Sequence, residues 1–287
     1  MLRSETLETL TLHASGLEFE ALSTGPADGF PVLALHGWLD NAASFIQLAP
    51  RLNRCRVVAI DQRGHGQSAH VQRPYHIWDG VPDVVGILDA LGWQQAALLG
   101  HSMGAAVATL TASAFPERIH ALWLIEGFGP WPDSATETPD RLRNATERLT
   151  RLPKRPKRLY ASIDEAIDAR LAGAVAPLSR QAAAQLVARG LKRMPNGYVW
   201  SSDPYLTLPT MARFDETQIQ SCIQRLTMPI SLALGTTGIA KTAGFLESRI
   251  ALCPQMRVET FTGGHHLHLE GAEGAISTWF ESTMEHA

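Results

Sequence analysis

A serine set between glycines, Gly100-His101-Ser102-Met103-Gly104, is the pattern in this chain best suited to covalent catalysis. A serine hydroxyl is a weak nucleophile. It needs a neighbouring base to take its proton, and the base needs a third group to orient it. The spacing also answers a steric problem. An apolar run, Ala97-Leu98-Leu99, leads into Gly100, and Ala105-Ala106 follow Gly104. A strand, a sharp turn and a helix in this order lift the serine into the open, and the flanking glycines remove Cβ atoms that would collide. The helix starting at Met103 aims its N-terminus at the hydroxyl, where developing negative charge is favoured. An ordinary Gly-Ser turn is the competing reading, and the strand–turn–helix context argues against it.

A base is expected near Gly263-Gly264-His265-His266-Leu267-His268-Leu269-Glu270. Glycines before a histidine let a short loop swing the imidazole over the sheet edge. His265 comes first after them and is the expected base. His268 is expected to pack at the start of the last helix, and His266 to be exposed or structural.

The third group must accept a hydrogen bond from Nδ1 of the base and stabilise the imidazolium. One expected place, Gly235-Thr236-Thr237-Gly238-Ile239-Ala240-Lys241, holds no carboxylate, and Glu247 lies far along a helix. Glu126, at the end of the apolar run Leu122-Trp123-Leu124-Ile125, offers a replacement. The chain order Ser102, Glu126, His265 then runs nucleophile, acid, base. A carboxylate buried without a partner is costly, and pairing with His265 removes that cost. The alternative is a surface Glu capping the strand end.

His36-Gly37-Trp38 directly follows the run Val32-Leu33-Ala34-Leu35. The backbone N–H of Trp38, with that of Met103 after the nucleophile, can bind the oxyanion of a tetrahedral intermediate. His36 is either a second candidate base or a residue that bonds this loop into shape. The chain order, with the base last, favours the second.

These groups need a scaffold that brings strand ends together. Leu7–Ala14 and Leu17–Leu22 read as a hairpin across Ser15-Gly16. Pro31–Leu35, Arg56–Ile60, Ala96–Leu99 and Ala121–Ile125 are short, nearly continuous apolar runs suited to parallel strands, and Pro229–Leu234 and Arg257–Phe261 read as further strands. Helical patterns cover Trp78–Leu91, Met103–Phe115, Thr242–Leu252 and Gly274–Met284. The alternation implies an α/β fold, a mostly parallel sheet flanked by helices on both faces. It is interrupted from about Phe128 to Arg225, where no strand run is evident and Ile163–Leu171 and Arg180–Leu191 read as helices. The expected organisation is a core of residues 1–127 and 226–287 with an inserted helical cap, 128–225.

The 287 residues carry 25 Lys and Arg against 28 Asp and Glu, so no strong basic field points to nucleic acid. Hydrophobic residues make up 45%, enough for a large core. Cys55, Cys222 and Cys253 are odd in number and without metal-ligand spacing, and read as small hydrophobes. Lys154-Arg155-Pro156-Lys157-Arg158 reads as a solvated face or, more weakly, an anion site. No secretory signal and no membrane-length apolar stretch is seen, so a cytoplasmic protein without membrane insertion is expected. Oligomeric state is left open.

Asp61-Gln62-Arg63-Gly64-His65-Gly66-Gln67-Ser68 adds a further block. With His36-Gly37-Trp38, the Ser102 turn and Gly264-His265, it makes the chain resemble the α/β-hydrolase superfamily over nearly its whole length. The Asp61 block is similar to that family's structural D-x-x-G-x-G-x-S turn. More narrowly, Trp200-Ser201-Ser202-Asp203-Pro204-Tyr205-Leu206 and the missing carboxylate after the next strand resemble serine-hydrolase-like proteins related to the insect kraken hydrolase. Some haloalkane dehalogenases are also similar in placing a Glu where Glu126 stands. They and epoxide hydrolases use Asp as nucleophile, and this chain has Ser102.

The expected reaction is acyl transfer from a small or medium carboxylic ester to water, with no metal and no organic cofactor. Phe128, Trp131, Trp200, Tyr205 and Phe214 are candidates to line the substrate pocket, or else form the cap's own core. Thioesters, lactones and carbon–carbon bonds are alternative substrates. A slowly turning ligand sensor on the same fold is an alternative of a different class.

Overall fold

The computed structural model describes residues 7–152 and 156–284. Strands β1 (Glu8–Ala14), β2 (Leu17–Thr24), β3 (Phe30–Leu35), β4 (Cys55–Ile60), β5 (Ala96–His101), β6 (Ile119–Ile125), β9 (Ile230–Gly235) and β10 (Met256–Phe261) form one eight-stranded sheet. Its order is β1-β2-β4-β3-β5-β6-β9-β10. From β4 to β10 every neighbouring pair is parallel, and the β1–β2 hairpin joins antiparallel through β2 and β4.

Alternation along each strand sorts side chains into two cores. Leu33, Leu35, Leu98, Leu122 and Leu124 face one side, with α1 (Gly80–Ala90) and α2 (Met103–Ala114). Val32, Ala34, Leu99, Trp123 and Ile125 face the other, against Phe45, Leu48 and α8 (Glu273–Met284). There Trp123 stacks on Phe280 at 5.2 Å between ring centroids. Helices thus cover both faces, and the parallel strands β3, β4, β5, β6 and β9 carry the apolar runs that two-sided burial demands, while β10 at the edge is largely exposed.

β6 and β9 are neighbours in the sheet, yet more than a hundred residues separate them. The inserted stretch holds α3 (Thr138–Arg151), α4 (Ile163–Ala172), α5 (Arg180–Gly190) and α6 (Glu216–Ile223). It is not helical throughout: β7 (Leu191–Met194) and β8 (Gly197–Trp200) pair as a small antiparallel hairpin. Pro195-Asn196-Gly197 is the turn signal that marks it. α6 belongs physically with the sheet, since Ile219 and Ile223 are fully buried in the same core as α2. The last connection has α7 (Leu246–Ala251), shorter than its sequence pattern suggests.

Among the described residues no helix is long and apolar enough to cross a membrane. Cys55 and Cys253 are buried and Cys222 half-buried, all three unpaired. Burial pushes the Cys55 thiol up to about 12. Lys154 and Arg155 lie outside the described residues. Lys157 of the same basic run donates to the carbonyls of Trp200, Ser201 and Ser202, and Arg158 pairs with Glu165. Those two cations are engaged locally within the inserted stretch.

Candidate active site

β5 ends at His101, and Ser102 turns the chain into α2 with φ 52° and ψ −111°. That region is unfavourable for a residue with a Cβ and persists only where the surroundings fix it. Here Ser102 N–H donates to Ile125 O at 3.0 Å, and Ser102 O accepts from Ala106 at 3.2 Å. A Cβ on Gly104 would lie 1.9 Å from the Leu35 carbonyl oxygen, so only glycine allows α2 to come this close to β3. Met103 is the first helical residue, and its N–H has no intrahelical acceptor.

Glu126 follows β6 with φ 52° and is 3% exposed. Its Oε1 accepts the N–H of Gly235 at 2.8 Å, and its Oε2 accepts that of Ala240 at 3.2 Å. His265 Nδ1 donates to the same Oε2 at 3.1 Å. The proton on Nδ1 leaves Nε2 with a lone pair, the tautomer a base requires. The turn after β9 that lacks a carboxylate is therefore the cradle for one from the neighbouring strand. Gly238 sits so close that a Cβ there would be 2.0 Å from Glu126 Oε1. Glu126 is thus a buried, hydrogen-bonded partner of His265, not a surface cap.

His36 bonds its loop into shape. Its Nδ1 donates to Gly37 O at 2.7 Å, and its Nε2 accepts from Gln62 N at 3.0 Å. Burial lowers its pKa and keeps it neutral. The Trp38 side chain donates to Leu206 O at 3.1 Å, which ties this loop to the inserted stretch. The Asp61 block is a structural turn: Asp61 accepts from Ala42 and Gln67 at 2.7 and 2.9 Å, and pairs with Arg189 of α5 at 2.9 Å.

Ser102, Glu126, His265, Trp38 and Met103 all line one cavity of about 750 Å³. Leu39, Ser102 and Glu126, three of the five described non-glycine residues at positive φ, lie on its wall. Strain is concentrated where the reactive groups meet. Phe128, Trp131 and Phe214 also line the cavity.

Trp200 and Tyr205 do not. Trp200 ends β8, packs against Gly190 and donates its indole N–H to the Tyr160 hydroxyl at 3.1 Å. Tyr205 lies in the short helical turn Pro204–Thr207, whose start is capped by Asp203. Trp200 serves the inserted stretch's own packing.

The other two histidines of the loop are structural: His268 packs just before the last helix, as expected, and His266 takes the structural of its two expected places. His266 is buried, with Nε2 3.4 Å from Asp40 Oδ2. His268 is fully buried in the turn Leu267–Leu269, before α8, with its ring 4.2 Å from that of His101. Burial lowers the His268 pKa to about 3, and burial likewise lowers that of His65 to about 3. Burial also holds His101 well below the ordinary range, with His268, His265 and His266 adding to the effect. Burial opposes ionisation of Asp40, yet His266, Arg170 and His36 hold its carboxyl well below the usual range. Sequence reasoning did not single out Asp40 or Arg170. The available signal was an acidic residue two positions after Trp38.

A family model described as alpha/beta hydrolase fold matches residues 31–272. The chain is 31% identical over 269 residues to a serine hydrolase-like protein of Danio rerio, covering 88% of this chain and 81% of that one. It is 27% identical over 286 residues to a probable serine hydrolase of Drosophila melanogaster, covering 94% and 85%. Among solved structures, the hypothetical protein PA1622 from Pseudomonas aeruginosa PAO1 superposes with a TM-score of 0.92 at 39% identity, covering 97% and 99%. With its sheet order, its strained serine turn and these similarities, the chain belongs to the alpha/beta hydrolase fold family and is serine-hydrolase-like within it.

Proposed function

We propose that this protein is a serine carboxylesterase acting on carboxylic esters of small to medium size. The observation that carries the reading is the buried Glu126–His265 hydrogen bond of 3.1 Å, at the wall of the cavity into which the Ser102 turn opens. His265 Nε2 takes the Ser102 proton as Oγ attacks the ester carbonyl. The N–H groups of Trp38 and Met103 bind the oxyanion, and removing one such donor typically costs about 2.7–4 kcal/mol. Glu126 steadies the imidazolium, which then protonates the leaving alcohol. Water resolves the acyl-enzyme by the same steps in reverse roles. These steps route no electron or group through a metal or cofactor.

The substrate size follows from the cavity. At about 750 Å³ it lies within the range that encloses drug-sized ligands. Trp38, Phe128, Trp131, Leu206 and Phe214 give it apolar walls. Such walls favour an uncharged acyl group. The stretch between β6 and β9 acts as the cap over this cavity, since Leu206, Phe214 and Arg170 come from it.

Steady-state hydrolysis of p-nitrophenyl esters of increasing acyl length tests the reading. Turnover is expected with a maximum at intermediate length, lost in Ser102→Ala. Absence of turnover at every length would overturn the ester assignment.

A further inference from the structure

Behind the serine turn lies a second group of polar side chains that the esterase mechanism does not use. Asp40, His101 and His266 are all buried, come from the loop after β3, the end of β5 and the loop after β10, and each offers a ligand atom within 4.8 Å of the others. All three also border the cavity, so an ion has a way in.

The tautomer of His101 is fixed. Its Nε2 lies 3.0 Å from the His265 carbonyl oxygen, which can only accept, so Nε2 carries the proton. Nδ1 is then a bare lone pair. It has no hydrogen-bond partner in the protein and lies 3.8 Å from Asp40 Oδ2, itself an acceptor. An imidazole that gives one N–H to a backbone carbonyl and presents its other nitrogen beside a carboxylate is oriented as a metal ligand is. His266 Nε2 lies 3.4 Å from the same Oδ2. Arg170 occupies Oδ1 at 2.7 Å and holds the carboxylate in place, leaving Oδ2 for the ion.

Room is left by Gly37. A Cβ there would lie 2.9 Å from His101 Nδ1 and 3.1 Å from Asp40 Oδ2, so any other residue would crowd the gap between them. Ligand atoms around tetrahedral zinc, at about 2.0–2.1 Å from the ion, are roughly 3.4 Å apart. The separations to Oδ2, 3.8 and 3.4 Å, are close to that. Two imidazoles and one carboxylate suit zinc or cobalt and disfavour magnesium and calcium, which prefer oxygen ligands.

We propose that Asp40, His101 and His266 form a binding site for a zinc-class divalent cation. The His265 ring lies 4.8 Å from that of His101 and 5.1 Å from that of His266, so a bound ion would stand beside it. Binding of the ion does not depend on the esterase reading.

Untagged chain is titrated with Zn2+ by calorimetry, and with Co2+ by visible absorption. The expected result is one ion per chain, a tetrahedral cobalt spectrum and no response to Mg2+. Ser102→Ala binds as the wild type does. His266→Gln and Asp40→Asn, checked for folding by circular dichroism, each bind at least about tenfold more weakly. Zinc anomalous diffraction from wild-type crystals places the ion independently of any variant. Undiminished binding in a folded His266→Gln, or an anomalous peak on the His265–Glu126 pair, would overturn the site.

Discussion

The sheet and the inserted stretch are held by different forces. The sheet's central strands are buried on both faces by aliphatic and aromatic side chains, with Trp123 on Phe280 on one side and the alanine-rich α2 on the other. The inserted stretch adds, to the apolar packing of α6, a set of polar ties to the core. Arg189 reaches Asp61, Arg170 reaches Asp40 at 2.7 Å, Asn41 donates to Leu186 O at 2.8 Å, and Asp203 N–H donates to Gly64 O at 2.7 Å. These ties converge on two loops, the one after β3 and the one after β4. Apolar packing is non-directional and sets the strand ends roughly in place. The polar ties are directional and fix the loops that border the cavity. The substrate side and the chemical side of the site are therefore built from different materials.

Changes to each side should separate accordingly. The largest effect belongs to the chemical side. Glu126→Gln keeps the shape and one acceptor but removes the charge that steadies the imidazolium, and kcat should fall about 10⁴-fold. Circular dichroism and the unfolding midpoint should change little. An unchanged kcat would remove Glu126 from the mechanism.

Next comes the tie between the two regions. The Asp61 side chain is fully buried and that of Arg189 nearly so. Arg189→Met strands the carboxylate, and denaturant unfolding should show a loss of about 3–5 kcal/mol. The exposed pair Arg180–Asp164 offers the contrast, and Arg180→Met should leave the midpoint unmoved.

Acid should loosen the loop layer between the regions. His65 and His268 are buried neutral with pKa values near 3, below the ordinary 6.5. The unfolded chain binds the protons the native state refuses, so stability is full above pH 6.5 and falls as pH drops from there towards 3. By pH 5.5 each histidine should cost roughly 1 kcal/mol relative to pH 7, measured by urea unfolding at the two values. His268→Asn, if folded, should flatten this slope.

The smallest effect is expected at Trp200. It packs inside the inserted stretch and does not reach the cavity, so Trp200→Phe should change KM by less than about twofold. Trp131, 56% exposed and on the cavity wall, should change KM more on truncation to Ala.

The same contrast explains what was legible in the sequence. The central parallel strands were readable because burial on both faces writes itself as nearly unbroken apolar runs, which the exposed edge strand β10 lacks, and the serine turn because sterics demand its glycines. Glu126 was readable as a lone carboxylate ending such a run. α3 was not, because Thr138–Arg151 buries only Ala145 and its stripe is drowned in charge. The β7–β8 hairpin was hidden because its strands are half-exposed and carry Lys192 and Arg193, although Asn196-Gly197 marked the turn. Trp200 and Tyr205 failed as pocket residues since aromatic type alone does not say which side of a cap faces the cavity. Asp40, Arg170 and His266 meet only through tertiary structure, and no local spacing announces them.

The central claim is that Ser102 carries the acyl group. A fluorophosphonate, which traps activated serines covalently, tests it most directly when followed by intact-mass and peptide mass spectrometry. One adduct per chain on Ser102, absent in Ser102→Ala and much slower in His265→Ala, is the expected result. An adduct on another residue, or undiminished labelling of Ser102→Ala, would contradict it.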